Sequence, residues 1–117
     1  MQTKKIVVRA SMMVVTGVFA VGLVATAVRA DESKAVYEKQ CASCHGAGGK
    51  GDGPAGKFLK PPLTDFATAL KGRTDADIAK AIKEGGKAVG KSAAMPAFGS
   101  RLSDDQINGL VAYIKGL

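Results

Sequence analysis

Two cysteines and the only histidine of this 117-residue chain lie within five consecutive residues, Cys41 to His45. On a helical turn, Cys44 and His45 follow Cys41 by three and four residues, so the three side chains share one side of that turn. Two thiols and one imidazole at this spacing suit a metal site, a redox pair, an activated nucleophile or the attachment of a prosthetic group.

Three of these chemistries lack the companion residues that they need. A structural zinc site takes four ligands, usually from two separated pairs, and the sequence has no second pair. A thioredoxin-like pair lies at a helix start in a βαβ unit, whereas these cysteines fall late in a helical segment without strands around it. A cysteine nucleophile with His45 as its base is disfavoured, because adjacent residues on a helix point away from each other.

The pattern C-x-x-C-H predicts covalent attachment of one haem. The thiols of Cys41 and Cys44 can add to its two vinyl groups as thioethers, and His45 then offers Nε2 to the iron as the proximal ligand. A haem would also fill the interior of a chain that has no Trp and, after residue 30, only 3 Phe and 2 Tyr.

The predicted distal iron ligand is Met95. It is the only methionine after residue 13, and the sequence has no second histidine. It lies in a loop of small residues, beside Pro96, which restricts the backbone there. The alternative is a methionine that fills a gap in the core, with a lysine on the iron. A His and Met pair predicts a six-coordinate iron.

Residues 1–30 have the organisation of a secretory signal peptide. A short basic segment precedes an uncharged run over residues 10–28, and small residues follow up to Ala30. Cleavage is predicted after Ala30, with Ala27 as the alternative. A retained anchor is the competing interpretation, because 19 uncharged residues approach the length that spans a bilayer. Either case predicts a domain over residues 31–117 that works in the periplasm, with no membrane contact unless the leader is retained.

The charge after residue 30 is modest, with 13 Lys and Arg against 10 Asp and Glu, a net charge of +3. It weakly favours redox protein partners with acidic docking faces. No basic stripe is interleaved with aromatic residues, which argues against nucleic acid. The sequence has no carboxylate pair, nucleophile triad or phosphate loop, so we do not expect an enzyme, and nothing requires more than a monomer.

The elements that position the cluster are predicted to be three main helices without strands. The first begins at Ser33 as its N-cap, and the second is capped by Thr74. The third begins at a capping box formed by Ser103 and Gln106. Two glycine-rich loops connect these helices, over residues 45–66 and 86–100.

The segments "CASCHG", "GDGPAG", "KPPLTDF" and "MPAFGSRLSDDQINGLVAYIKGL" resemble class I monohaem cytochromes c of the small bacterial type, over residues 34–117. The resemblance implies an all-α cytochrome c fold wrapped around one covalently attached haem c. It also implies that the first and last helices cross closely, with Gly109 permitting the approach.

The same resemblance implies a proline carbonyl that accepts the Nδ1 proton of His45. Pro54 best fits this role, and the alternatives are Pro61 and Pro62. The chain lacks the tryptophan that binds a haem propionate in some family members. The residues that could replace it are Arg73, Lys60 and Arg101.

These observations together predict a one-electron carrier that shuttles electrons between respiratory or photosynthetic redox partners. The first alternative is a five-coordinate haem protein in which Met95 is detached, for gas sensing or peroxide chemistry. The second alternative is a dedicated haem subunit of one enzyme, such as a dehydrogenase.

Overall fold

All regular secondary structure in the described part of the chain is helical. A computed structural model describes the backbone of residues 20–117 and the side chains from residue 29 onward. No strand occurs within that range, which confirms the predicted all-α class. The helices are α1 (Ala20–Gln40), α2 (Ala42–His45), α3 (Phe66–Ala69), α4 (Asp75–Glu84) and α5 (Asp104–Lys115), with 3₁₀ turns at Gly56–Phe58 and Lys87–Val89.

Helix α1 begins earlier than predicted. It starts at Ala20, so Ser33 lies in its interior and is not an N-cap. The Ser33 hydroxyl donates to the carbonyl of Arg29 at 2.9 Å, because a serine inside a helix can satisfy its hydroxyl on the preceding turn. The prediction that the first helix starts at Ser33 is therefore wrong.

The predicted signal peptide lies largely outside the described residues. The predicted boundary between residues 30 and 31 falls within the continuous helix α1, and cleavage there stays a prediction. In residues 20–117, no helix combines the length and the apolar character that crossing a membrane requires.

Helices α1 and α5 pack against each other, as the resemblance implied. A Cβ at Gly109 would collide with the hydroxyl oxygen of Ser33, so glycine permits the close approach. Tyr37 from α1 and Leu110 from α5 are completely buried beside this crossing. The Tyr37 ring lies 5.2 Å from the ring of Tyr113, at an interplanar angle of 50°.

Helices α4 and α5 both begin at the capping boxes that their sequences indicate. The Thr74 hydroxyl accepts from the Asp77 amide, and the Asp77 carboxylate accepts in return from the Thr74 amide. Ser103 and Gln106 form the same reciprocal pair on α5. Two exposed ion pairs, Lys83 with Asp104 and Lys115 with Asp75, join the two helices.

One hydrophobic core connects these helices. Its members come from α1, α4, α5 and the loop before α5, and they are Tyr37, Ile78, Ile82, Phe98, Ile107, Leu110, Val111 and Ile114. Partly buried side chains pack around this core, among them Cys41, Phe66 and Met95. The core therefore receives contributions from the cysteine cluster and from the loop that carries the methionine.

Candidate functional site

The cysteine cluster forms a single helical turn directly after α1. Cys41 separates α1 from α2, and its amide still donates to the carbonyl of Tyr37 at 2.8 Å. The amide of His45 donates to the carbonyl of Cys41 at 2.9 Å. Cys41, Cys44 and His45 are therefore on one turn, as their spacing predicts. Both cysteines are free and half-buried.

The Cys41 thiol lies in an environment that keeps it protonated. Burial, with a smaller effect from Cys44, raises the pKa of Cys41 to about 11. A reactive or catalytic cysteine needs a lowered pKa in an electropositive setting. The raised pKa therefore argues against Cys41 as a nucleophile.

The glycine-rich loop after His45 closes against the backbone of α2. The amide of Ala55 donates to the carbonyl of Ser43 at 2.9 Å. A Cβ at Gly53 or Gly56 would collide with carbonyl oxygens of α2, including that of Cys44. Glycine is required at both positions because the loop backbone rests directly on the turn that carries the cluster.

The His45 imidazole is half-buried and stacked on Phe66. The two ring centroids are 4.7 Å apart, and the planes differ by 25°. Burial lowers the pKa of His45, which favours the neutral ring that binds metals. Its Nδ1 is buried and has no hydrogen-bond partner in the described part of the chain. The carbonyl of Pro54, or of Pro61 or Pro62, as its acceptor stays a prediction.

Met95 is half-buried and follows His45 by 50 residues in the sequence, yet it packs on the same core as Cys41. The end of α4 positions it: the amide of Gly86 donates to the Met95 carbonyl at 3.0 Å. A Cβ at Gly86 would lie 3.2 Å from that of Met95 and would collide with Ser92. The predicted distal residue is thus held by close backbone contacts.

The three candidates for propionate binding have different surroundings. Arg73 Nε donates to the carbonyl of Ala69 at 3.2 Å. The Arg101 guanidinium lies over the ring of Phe98, 5.0 Å from its centroid. Lys60 is exposed. None of these contacts selects one candidate over the others.

Sequence reasoning missed two contacts at the site. One is the stacking of Phe66 on His45, and the other is a buried hydrogen bond from the Tyr37 hydroxyl to the Gly46 carbonyl at 2.7 Å. Tyr37 precedes Cys41 by four residues, which places both on the same helix face. This spacing could have indicated that Tyr37 lies beside the cluster. Phe66 carried no such signal, because a loop of twenty residues separates it from His45.

The residues present fit a covalently attached haem. Two free thiols and the His45 imidazole share one turn, and Met95 packs on the same core as Cys41 from a separate loop. Four further apolar side chains of the described residues are only half-buried: Leu59, Leu63, Leu70 and Val89. This combination of soft ligands and incompletely covered apolar side chains suits a large apolar group that carries iron.

Comparison with known proteins gives a family match over most of the chain. The model of the family described as "Cytochrome C oxidase, cbb3-type, subunit III" matches residues 28–114. The chain is 32% identical to cytochrome c6 from Picosynechococcus over 106 residues, which cover 89% of this chain and 86% of the relative. It is 35% identical to cytochrome c6 from Chlorolobion braunii, over 69% of this chain and 82% of that protein.

A second group of relatives consists of longer proteins. The chain is 31% identical to the cbb3-type cytochrome c oxidase subunit CcoP of Azospirillum brasilense over 91 residues. That alignment covers 78% of this chain but only 29% of the subunit. The chain therefore matches cytochromes c6 over most of their length and the oxidase subunit over less than a third of its length.

Proposed function

We propose that this chain, which belongs to the cytochrome c family and carries a covalently bound c-type haem, is a periplasmic one-electron carrier with iron ligands His45 and Met95. Family membership rests on the match over residues 28–114 and on the cytochrome c6 relatives. The bound haem supplies a one-electron ferric/ferrous couple. The residues of this chain attach it, set its potential and present it to partners.

Attachment is assigned to Cys41 and Cys44 through two thioethers, with His45 as the proximal ligand. The support is their position on one turn and the half-buried state of both thiols. The lowered pKa of His45 keeps the ring neutral, so a ring nitrogen is available to a metal at neutral pH. The Pro54 carbonyl, as the acceptor for Nδ1, would orient this ring and increase its basicity.

The observation that carries the proposal is that Cys41 and Met95 both pack against the same core cluster. Met95 offers a thioether sulfur, a soft ligand that favours the ferrous state and raises the potential. With His45 and Met95 both bound, no position on the iron remains for a substrate. We therefore propose electron transfer without catalysis by the polypeptide.

The docking face is proposed to lie at the loop that rests on α2. The Phe58 side chain is 86% exposed, and no other large apolar side chain in the described residues is as exposed. Exposed Lys57 and Lys60 flank it, and the loop between Asp52 and Asp65 has no acidic residue. An apolar centre with a basic rim suits a partner with an acidic rim and a brief, salt-sensitive encounter.

A second candidate function follows from the oxidase relatives. A dedicated subunit that delivers electrons within one oxidase complex would explain the matching family model. The coverage of 86% for cytochrome c6 against 29% for CcoP favours a free carrier. Purification from native cells separates the two, because a dedicated subunit would elute with a stoichiometric partner and a free carrier would elute alone.

The absorption spectrum of the holoprotein tests the ligand assignment. We expect ferric protein to show the weak far-red charge-transfer band of methionine sulfur bound to iron, and the reduced protein to resist carbon monoxide. Absence of the band together with ready carbon monoxide binding would indicate an open iron. The carrier proposal would then give way to gas sensing or peroxide chemistry.

A further inference from the structure

We propose that the Tyr37 hydroxyl is a positioning group for the iron ligand His45, acting as a clamp across the attachment turn, residues 41–46. This inference rests on the ligand role proposed above for His45. Tyr37 is completely buried, and its hydroxyl donates to the Gly46 carbonyl at 2.7 Å. Gly46 directly follows His45, so the clamp holds the backbone next to the ligand.

Tyr37 binds both ends of the attachment turn. Its backbone carbonyl accepts the Cys41 amide at 2.8 Å, where the turn begins. Its hydroxyl donates to Gly46, where the turn ends. The bond between the His45 amide and the Cys41 carbonyl, 2.9 Å long, lies between these two anchors. A shift of the turn relative to α1 would therefore break at least one bond to Tyr37.

The far end of the clamp is itself fixed in place. Gly46 has φ = +82°, and a Cβ there would collide with the Asp52 carboxylate, so the backbone is closely surrounded. The Gly46 carbonyl also accepts from the Gly49 amide at 3.1 Å. The His45 carbonyl accepts from Gly51 at 2.8 Å. The Tyr37 hydroxyl thus joins a set of bonds that fix both carbonyls next to the ligand.

The near end of the clamp is anchored in the helix crossing. The Tyr37 ring packs 5.2 Å from the ring of Tyr113 on α5. Because this packing holds the ring in place, the hydrogen bond from its hydroxyl fixes the attachment turn relative to the crossing of α1 and α5. Burial raises the pKa of Tyr37 to about 12, so the hydroxyl remains a donor at neutral pH.

The substitution Tyr37→Phe isolates the hydroxyl, because it keeps the buried ring and its packing. The matched control is Tyr113→Phe, which removes a hydroxyl from the partner ring of the same crossing. Both variants are made in the full chain with haem attached. Amide hydrogen exchange is measured at Gly46 in the turn, at Gly49, whose amide donates to the Gly46 carbonyl, and at Leu110 in α5. Haem methyl proton shifts are measured in the ferric state.

We expect Tyr37→Phe to accelerate exchange at Gly46 and Gly49 about tenfold more than at Leu110, since a buried carbonyl loses a donor. We also expect it to change the haem methyl shifts, which report the orientation of the axial ligands. Tyr113→Phe should do neither. A uniform acceleration at all three amides would overturn the proposal, and so would unchanged methyl shifts.

Failure of the ligand assignment has a separate signature. If wild-type reduced protein binds carbon monoxide and lacks the far-red band, the assignment of Met95 fails, whatever the tyrosine variants do. If the wild type behaves as a His/Met protein and Tyr37→Phe leaves the haem methyl shifts unchanged, the clamp alone is wrong.

Discussion

At the scale of single residues, the site combines side chains that the sequence identifies with contacts that only the fold reveals. The spacing of Cys41, Cys44 and His45 is local, so one helical turn was enough to predict that they lie together. The approach of Met95 to the same core depends on tertiary packing, and the sequence could suggest it only by the lack of another ligand. The Tyr37 bond and the Phe66 stacking are also tertiary, and the sequence analysis did not predict them.

Met95→Leu tests the distal ligand with little change in side-chain volume. We expect the far-red band to vanish, the reduced protein to bind carbon monoxide, and the midpoint potential to fall by at least about 59 mV, a tenfold change for one electron. The physical reason is the loss of a soft sulfur ligand that favours the ferrous state. Spectroelectrochemical titration measures the potential.

The control for this variant is Leu102→Ala, which disturbs a side chain packed on the same core but leaves the sulfur in place. Its reduced form should still exclude carbon monoxide. Met95→His supplies a second test, because a replacement ligand should exclude carbon monoxide again while the potential stays low. A potential unchanged in Met95→Leu would contradict ligation by Met95.

At the scale of elements, the sequence correctly predicted where a helix begins when a side chain forms a local hydrogen bond with the backbone of the first turn. Thr74 and Ser103 begin α4 and α5 because each hydroxyl accepts an amide three residues ahead, which needs no tertiary contact. Ser33 has the same chemistry but lies inside α1, since a serine can also bond backwards to the preceding turn. A hydroxyl residue alone therefore did not distinguish a helix start from a helix interior.

Asp77→Asn should lower the melting temperature by about 4 °C at neutral pH, because the carboxylate completes the capping box at the start of α4. Hydrogen bonds from the backbone and hydroxyl of Thr74 hold the pKa of Asp77 below its ordinary value of 3.8. Its contribution is therefore present in full above the unfolded pKa and is lost as pH falls through the lower folded pKa.

Thermal denaturation of the holoprotein across the acidic range measures this dependence. The difference in melting temperature between wild type and Asp77→Asn should be constant from neutral pH down to about 4 and then shrink. The control is Asp105→Asn, which removes a carboxylate from the first turn of α5 but leaves the capping pair of Ser103 and Gln106 intact. A difference that grows on acidification would contradict the assigned role.

At the scale of the whole molecule, two loops and the end of α1 converge on a core that the long helices build. Helices α1 and α5 form the frame, and their crossing through Gly109 fixes the direction in which α1 delivers the attachment turn. Helix α4 packs on α5 and holds the Met95 loop through Gly86. Glycines at these contacts let the backbones approach, so the loops can carry ligands without long secondary structure of their own.

The placement of basic residues around Phe58 predicts how the molecule meets charged partners. Small redox ions of opposite charge probe this without a protein partner. Oxidation of the reduced protein by anionic hexacyanoferrate(III) should slow as ionic strength rises, whereas oxidation by a cationic cobalt(III) complex should accelerate, because salt screens a locally positive face. Stopped-flow second-order rate constants measure both trends.

The double variant Lys57→Gln, Lys60→Gln should flatten both salt dependences, since it removes the two exposed charges beside Phe58. Lys34→Gln is the matched control, because Lys34 lies on α1 about two helical turns before Cys41 and faces an exposed glutamate. If the control variant flattens the salt dependence as much per lysine removed as the double variant does, the net charge of the chain governs the encounter and the loop after His45 has no special role.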